Sequence, residues 1–168
     1  MLVLGAIGTV AIFLLVGWAV STEMFQQRTW RRRVRSGDTA IVAALIEEAL
    51  GTWRRQRPPR GTAATLWAGI QGLQPLSVTT DSATVSTSAE PEFRTEEGRR
   101  VQVRSALDEA IALATKAVDM MLYDVPNLQL AEVRVDVFTT FTGQGPSPIQ
   151  QPILSVTAFR ADADTMDW

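Results

Sequence analysis

Residues 1–22 are the segment that most constrains this chain, because they contain no charged side chain. An α-helix rises 1.5 Å per residue, so about 20 apolar residues cross the ~30 Å hydrocarbon core of a bilayer. Within lipid a helix satisfies its own backbone hydrogen bonds, which an irregular segment does not. The sequence therefore predicts a single transmembrane helix over residues 1–22, with the lipid bilayer as the first partner.

Two other kinds of segment also contain an apolar run of this type. A secretory signal peptide has basic residues ahead of a shorter apolar run and a small-residue cleavage site. No basic residue precedes the run here, although Ala19 and Ser21 satisfy the small-residue requirement. A buried helix of a globular protein normally has a polar face, and this run has none. We therefore favour a retained anchor.

A basic collar over residues 23–37 follows the predicted span. The expected membrane-interface residues in and around it are Trp18, Arg28, Trp30, Arg31, Arg32, Arg33 and Arg35. Aromatic rings favour the headgroup level, and basic residues beside a span favour the cytoplasmic side. The collar thus predicts a single-pass protein of the inner (plasma) membrane whose C-terminal domain is cytoplasmic. The alternative role for such a collar is nucleic-acid binding, which we do not expect so close to a bilayer.

The residue types that are missing exclude many kinds of chemistry. The chain has no Cys and no His, which rules out Ser–His–Asp triads, thiol nucleophiles, zinc fingers and Cys-held iron–sulfur clusters. Its single lysine, Lys116, lies in a predicted helix and not in a glycine-rich phosphate loop. We therefore expect no catalytic residue, no cofactor, no bound metal and no small-molecule ligand. The large excess of Arg over Lys indicates a bacterial genome rich in GC.

Residues 38–72 are predicted to be a helical segment. Apolar residues at helical spacing predict an amphipathic helix over residues 39–55. A second, shorter helix is predicted over residues 63–71, with Thr62 as its N-cap and Gly72 as its terminator.

Three tryptophans are the candidate residues for docking on a partner. They are Trp53 and Trp67, on the two predicted helices, and Trp168, at the end of the sequence. Large aromatic side chains are enriched at protein interfaces, which favours this role. For Trp67, a place in the core is the alternative interpretation.

Residues 73–168 are predicted to be an α+β domain with an acidic C-terminal tail. The periodicity predicts two hairpins (residues 76–87, and a shorter one around Glu96–Gly98), a long helix (105–123), a strand (133–141), a loop (143–151) and a last strand (153–160). This order favours two layers, with helices on one face of an antiparallel sheet and Thr, Ser and Arg on the other face. Residues 61–168 carry fourteen acidic and seven basic side chains, whereas residues 22–60 carry nine Arg and four acids.

The sequence favours a non-catalytic accessory or assembly subunit over an enzyme. Its soluble domain would dock on a larger membrane protein complex, bioenergetic or secretory, whose other subunits are the expected protein partners. One alternative is a membrane-tethered enzyme that uses carboxylates and a metal, for which the candidate clusters are Glu90/Glu92, Glu96/Glu97 and Asp162/Asp164/Asp167. The other alternative is an exported α+β binding domain.

Overall fold

The computed structural model describes residues 38–96, 98–141 and 148–165. The predicted span, the basic collar and its interface residues lie outside the described residues, as does Trp168. Within the described residues, no helix has the length and apolar character needed to cross a membrane.

The fold is α+β, as the sequence predicts. Its helices are α1 (Thr39–Arg55), α2 (Ala64–Gln71), α3 (Ala106–Asp119) and α4 (Arg160–Ala163), and a π-helical turn (Met120–Asp124) extends α3. Its strands are β1 (Gln74–Val78), β2 (Ser82–Ser88), β3 (Glu92–Glu96), β4 (Arg99–Arg104), β5 (Glu132–Phe141) and β6 (Ile149–Phe159). The described strands form a four-stranded sheet in the order β1-β2-β5-β6 and a separate two-stranded sheet, β3-β4.

The prediction of an antiparallel sheet is wrong for one pair of strands. The β1–β2 and β5–β6 pairs are antiparallel, but β2 and β5 run parallel. A parallel pair needs a crossover connection long enough to return the chain to the same end of the sheet. Here α3 supplies that crossover, since it lies between β2 and β5 in the chain and packs on β5 and β6.

Alternation along β2 and β5 divides the sheet into a buried face and an open face. Val85 on β2 and Val133, Val135 and Val137 on β5 are buried under the helices. The side chains between them are Ser, Thr, Arg, Asp and Phe, and they lie on the open face. A strand exposes successive side chains on opposite faces, so this pattern confirms the predicted polar face.

The helices cover the other face of the sheet side by side. Helix α1 packs on β1, α2 packs on β2, and α3 packs on β5 and β6, while each helix also contacts its neighbour. The buried face of α1 repeats every three or four residues, as an amphipathic helix requires, and consists of Val42, Leu45, Ile46, Ala49, Leu50 and Trp53. One core is therefore shared by the helical segment and the sheet.

The ends of two elements differ from their prediction. The residue at the N-cap of α2 is Ala63, which makes no side-chain capping bond, and not Thr62. Strand β6 begins at Ile149, inside the predicted loop, because Gln150 and Gln151 continue the pairing with β5 although their side chains are polar. Helix α3 begins with a capping box: the Ser105 hydroxyl accepts from the Asp108 backbone N–H at 3.1 Å, and the Ser105 N–H donates to the Asp108 carboxylate at 3.2 Å.

Candidate functional site

Two of the three candidate tryptophans lie in the core of the domain. Trp53 is 5 % exposed and Trp67 is 4 % exposed. The Trp67 indole N–H donates to the carbonyl of Gln56 at 3.1 Å, and the Gln71 side chain donates to the same carbonyl at 3.0 Å. Carbonyls at a helix C-terminus lack intrahelical donors, so these bonds tie α2 to the end of α1. Because so little of either indole is exposed, we do not place a docking surface on Trp53 or Trp67.

The most exposed regular structure among the described residues is the β3–β4 hairpin. All six residues of β4 are exposed, and so are four of the five in β3. The two strands form a sheet of their own, separate from the four-stranded sheet. Gly98 in the turn has φ +79°, a left-handed conformation that glycine adopts without steric cost. The sequence pattern located this hairpin around Glu96–Gly98, and the structure confirms it.

The hairpin presents apolar and basic side chains together, and we call this set the hairpin surface. Its members are Phe93, Arg94, Arg99, Arg100, Val101 and Val103. The Arg100 guanidinium carbon lies 4.0 Å from the centroid of the Phe93 ring, which is a cation–π contact. Arg94 lies 3.8 Å from the Glu92 carboxylate, but at 65 % side-chain exposure this ion pair adds little stability. Both faces of the hairpin therefore offer apolar area beside positive charge.

A buried carboxylate fixes the base of the hairpin. Glu109, in the first turn of α3, is 2 % exposed. Its carboxylate accepts from the guanidinium of Arg104, the last residue of β4, at 3.2 Å, and from the Thr65 hydroxyl at 3.4 Å. A buried charge is tolerated only when it is paired and hydrogen-bonded, so Glu109 joins β4 and α2 to α3. Its role in the structure is anchoring.

The open face of the sheet carries a polar network at its centre. Asp136 on β5 accepts from the Arg134 guanidinium at 3.0 Å and from the Ser155 hydroxyl of β6 at 2.6 Å. Beside it lies an open recess of about 310 Å³, whose lining includes Gln74, Ser86 and Phe138. Such a face offers hydrogen bonds but no activated nucleophile, because the Asp136 carboxylate is already occupied by two donors.

The candidate acidic clusters for metal chemistry are only partly described, since Glu97 and Asp167 lie outside the described residues. Within the described ranges, no group of three or more metal-ligating side chains is present. Asp164 accepts from the Tyr123 hydroxyl at 2.6 Å, and this hydrogen bond raises the pKa of the Tyr123 phenol above its usual value. The Arg160 guanidinium lies 5.1 Å from the Tyr123 ring and donates to the carbonyls of Leu122 and Leu130. These contacts fasten α4 to the π-helical turn.

Comparisons with protein-family models, with curated proteins and with solved structures find no match for this chain. The functional interpretation therefore depends on the sequence and on the geometry described above.

Proposed function

We propose that this chain is a non-catalytic, single-pass membrane accessory subunit, which docks its folded domain on a larger membrane protein complex. The observation that carries the proposal is the hairpin surface. It holds an exposed aromatic ring, two exposed valines and three arginines on a hairpin that is tied to the domain at its base. Aromatic and Arg side chains are the residues that most often dominate binding energy at interfaces.

The energetics of a two-stranded hairpin support docking. A hairpin without a third strand or a covering helix is marginally stable in water. Val101 and Val103 are each more than 40 % exposed, and burial of apolar surface contributes about 25 cal/mol per Å². A partner that covers these side chains would therefore stabilise the hairpin and gain affinity from the same contact.

The charge of the hairpin surface indicates the character of the partner. Residues 92–104 carry four arginines against three glutamates, which is a small basic excess, and opposite charges across an interface accelerate association and fix orientation. We expect the partner to be a membrane protein subunit with an acidic, partly apolar surface on the same side of the bilayer. The predicted anchor would raise the local concentration of the domain at that surface.

The test is co-purification of the tagged full chain from membranes solubilised in a mild detergent, followed by a blue-native gel. The wild type should migrate in a complex much larger than the chain itself. The double substitution Val101→Ser/Val103→Ser should move it out of that complex. The matched control is Leu76→Ser, which removes a side chain that is 59 % exposed on β1, outside the hairpin. Far-UV circular dichroism should be unchanged in both variants.

Two outcomes would contradict this function. One is a wild-type chain that runs only as a small free species under every mild condition. The other is a large complex that tolerates Val101→Ser/Val103→Ser as well as it tolerates Leu76→Ser.

The cytoplasmic location of the domain is part of the proposal and has its own test. The chain has no Cys, so Glu90→Cys, in an exposed loop, introduces a single thiol. A membrane-impermeant maleimide should label this thiol in broken membranes and not in intact spheroplasts. Labelling of intact spheroplasts would instead favour an exported domain.

A further inference from the structure

Among the described strands, β6 lies at an edge of the four-stranded sheet, and its C-terminal half, from Leu154 to Phe159, lacks the proline and the register shift that protect its N-terminal half against pairing. It pairs with β5 on one side and lies at the end of the four-stranded sheet. It is 11 residues long, and its sequence, IQQPILSVTAF, contains no charged side chain. Edge strands are normally short, charged or covered, because their free N–H and C=O groups can pair with another strand.

The register identifies which backbone groups of β6 face the open edge. The Arg160 N–H donates to the carbonyl of Ala131 at 2.8 Å, at the start of the β5–β6 ladder. In an antiparallel pair, the N–H and C=O of one residue point to the same side, and the side alternates along the strand. The backbone groups of Ser155, Thr157 and Phe159 therefore point away from β5. The register shift between β5 and β6 lies N-terminal to Leu154, so the pairing from Leu154 to Phe159 is regular.

Helix α3 has an exposed apolar flank on the same side of the domain. Leu113 approaches α2, because a Cβ added at Gly69 would lie 2.4 Å from its Cδ2 atom. With 3.6 residues per turn, Ile111 lies about 160° around the helix from Leu113. Leu107, one turn earlier, shares this flank, and the two side chains are 50 % and 51 % exposed. Since α3 packs on β5 and β6, the flank opposite α2 faces the free edge of β6.

We propose that the occupant of this edge is a second copy of the chain, paired antiparallel through β6. A two-fold axis at Thr157 places Thr157 opposite its own copy and Ser155 opposite Phe159, with about six new backbone hydrogen bonds. The arrangement is self-complementary: no like charges meet, and Thr–Thr is a favourable cross-strand pair. The product is one continuous sheet that spans two protomers.

The helix layer fits the same arrangement. Adjacent strands lie about 4.8 Å apart, so helices that each lie over β5 and β6 would have axes about 10 Å apart across the two-fold axis. Packed helices have interaxial distances of about 8–10 Å. The two copies of α3 would then run antiparallel beside the axis, with each exposed flank next to the C-terminal half of the other helix. Pairing through β6 would therefore cover part of the flank formed by Leu107 and Ile111.

Oxidative cross-linking tests the predicted position of the axis. Because the chain has no Cys, Thr157→Cys adds a single thiol at the two-fold axis, where directly opposed Cα atoms lie about 5.5 Å apart, within disulfide range. Mild oxidation of the full chain in detergent should give a covalent dimer. The control is Thr84→Cys, on the same open face but on β2, two strands away from the edge. It should stay monomeric on a non-reducing gel.

Light scattering on the detergent-solubilised full chain gives the second measurement. Wild type should have the protein mass of a dimer, and Thr157→Lys, which opposes two like charges across the axis, should weaken dimerisation at least tenfold. Thr84→Lys should leave the dimer intact. A monomeric wild type, a dimer that survives Thr157→Lys, or equal cross-linking of Thr157→Cys and Thr84→Cys would each overturn the proposal.

Discussion

Single side chains in this domain act mainly as connectors between elements. The guanidinium of Arg160 joins the π-helical turn to Leu130, in the segment before β5, the Gln71 amide bonds the end of α1, and the Glu109 carboxylate joins α3 to the hairpin. Every buried side-chain nitrogen and oxygen atom of the described residues has a hydrogen-bond partner. Buried polar groups are costly when they are unpaired, so the removal of one partner has consequences that can be measured.

The ion pair at the hairpin base should show strong coupling between its two members. Arg104→Ala leaves the buried Glu109 carboxylate without its cation, and we expect it to lower the free energy of unfolding by about 1–3 kcal/mol. Glu109→Gln removes the charge, so Arg104→Ala should cost less in that background. Urea denaturation of the wild type, both single variants and the double variant gives the coupling energy. Additive effects would mean that Arg104 does not stabilise the carboxylate.

The capping box of α3 should contribute a pH-dependent stability. Hydrogen bonds from the Ser105 side chain and backbone N–H lower the pKa of Asp108 from its usual 3.8. A depressed folded-state pKa adds stability above the unfolded-state pKa, and this stability is lost as the pH falls through the folded-state pKa. Wild type should therefore exceed Asp108→Asn in free energy of unfolding at pH 6, and the difference should shrink below pH 4. A difference that is constant from pH 6 to pH 2 would contradict this.

At the scale of elements, helices α2 and α3 approach each other closely at Gly69. A Cβ at Gly69 would lie 2.4 Å from Leu113, whose side chain is buried and has little room to move. Gly51 on α1 differs, because its nearest neighbour would be a flexible Arg55 atom at 3.7 Å. The two glycines therefore allow a matched comparison within helices.

We expect Gly69→Ala and Gly51→Ala to have opposite effects on stability. Gly69→Ala overpacks the helix contact and should cost about 1–3 kcal/mol. Gly51→Ala gains helix propensity at an uncrowded site and should add about 0.5–1 kcal/mol. Thermal and urea unfolding measure both effects. If Gly69→Ala were neutral, the α2–α3 contact would be looser than the structure shows.

The elements that sequence alone predicted are those with a strong local signal. Helices α1 and α3 have long apolar stripes, β5 alternates strictly, and Ser105 with Asp108 marks the start of α3. The parallel β2–β5 pair was missed because strand order depends on long-range packing, which periodicity does not encode. Composition alone does not distinguish a core indole from an exposed one, so Trp53 and Trp67 were docking candidates although both are buried, and Trp168 lies outside the described residues.

The candidate surfaces were only partly visible in the sequence. The hairpin around Gly98 was predicted from its turn residue, but its exposure on both faces was not. Two valines two positions apart are equally typical of a covered strand. In the sequence, Leu107 and Ile111 have the same helical spacing as the buried apolar residues of α3, so periodicity does not separate the exposed flank from the buried face. The sequence does not show that this flank points away from α2, because that direction depends on which elements pack against α3.

At the scale of the whole molecule, stability should be unevenly distributed. The central strands β2 and β5 are paired on both sides and buried under the helices, whereas β3 and β4 pair only with each other within the described structure. Local opening needs less free energy where few apolar contacts must be broken. The described domain is therefore a stable sheet-and-helix body with a weaker hairpin on it.

Hydrogen exchange should resolve these two levels of stability. In the isolated full chain, amides of β3 and β4 should exchange at least tenfold faster than those of β2 and β5. Within the larger complex, the hairpin amides should slow while those of the central strands stay unchanged. Uniform protection across all strands of the isolated chain would contradict this distribution.

The position of the hairpin in the chain has an evolutionary consequence. It is inserted in the connection between β2 and α3, and its ladder is closed within itself, so its tip can change in length or composition without disturbing the parallel pair beneath it. Evolution could therefore change the binding partner of the domain by altering this one hairpin, while selection on the core stays constant. For an engineer, the same insertion point is where a foreign recognition loop could be grafted.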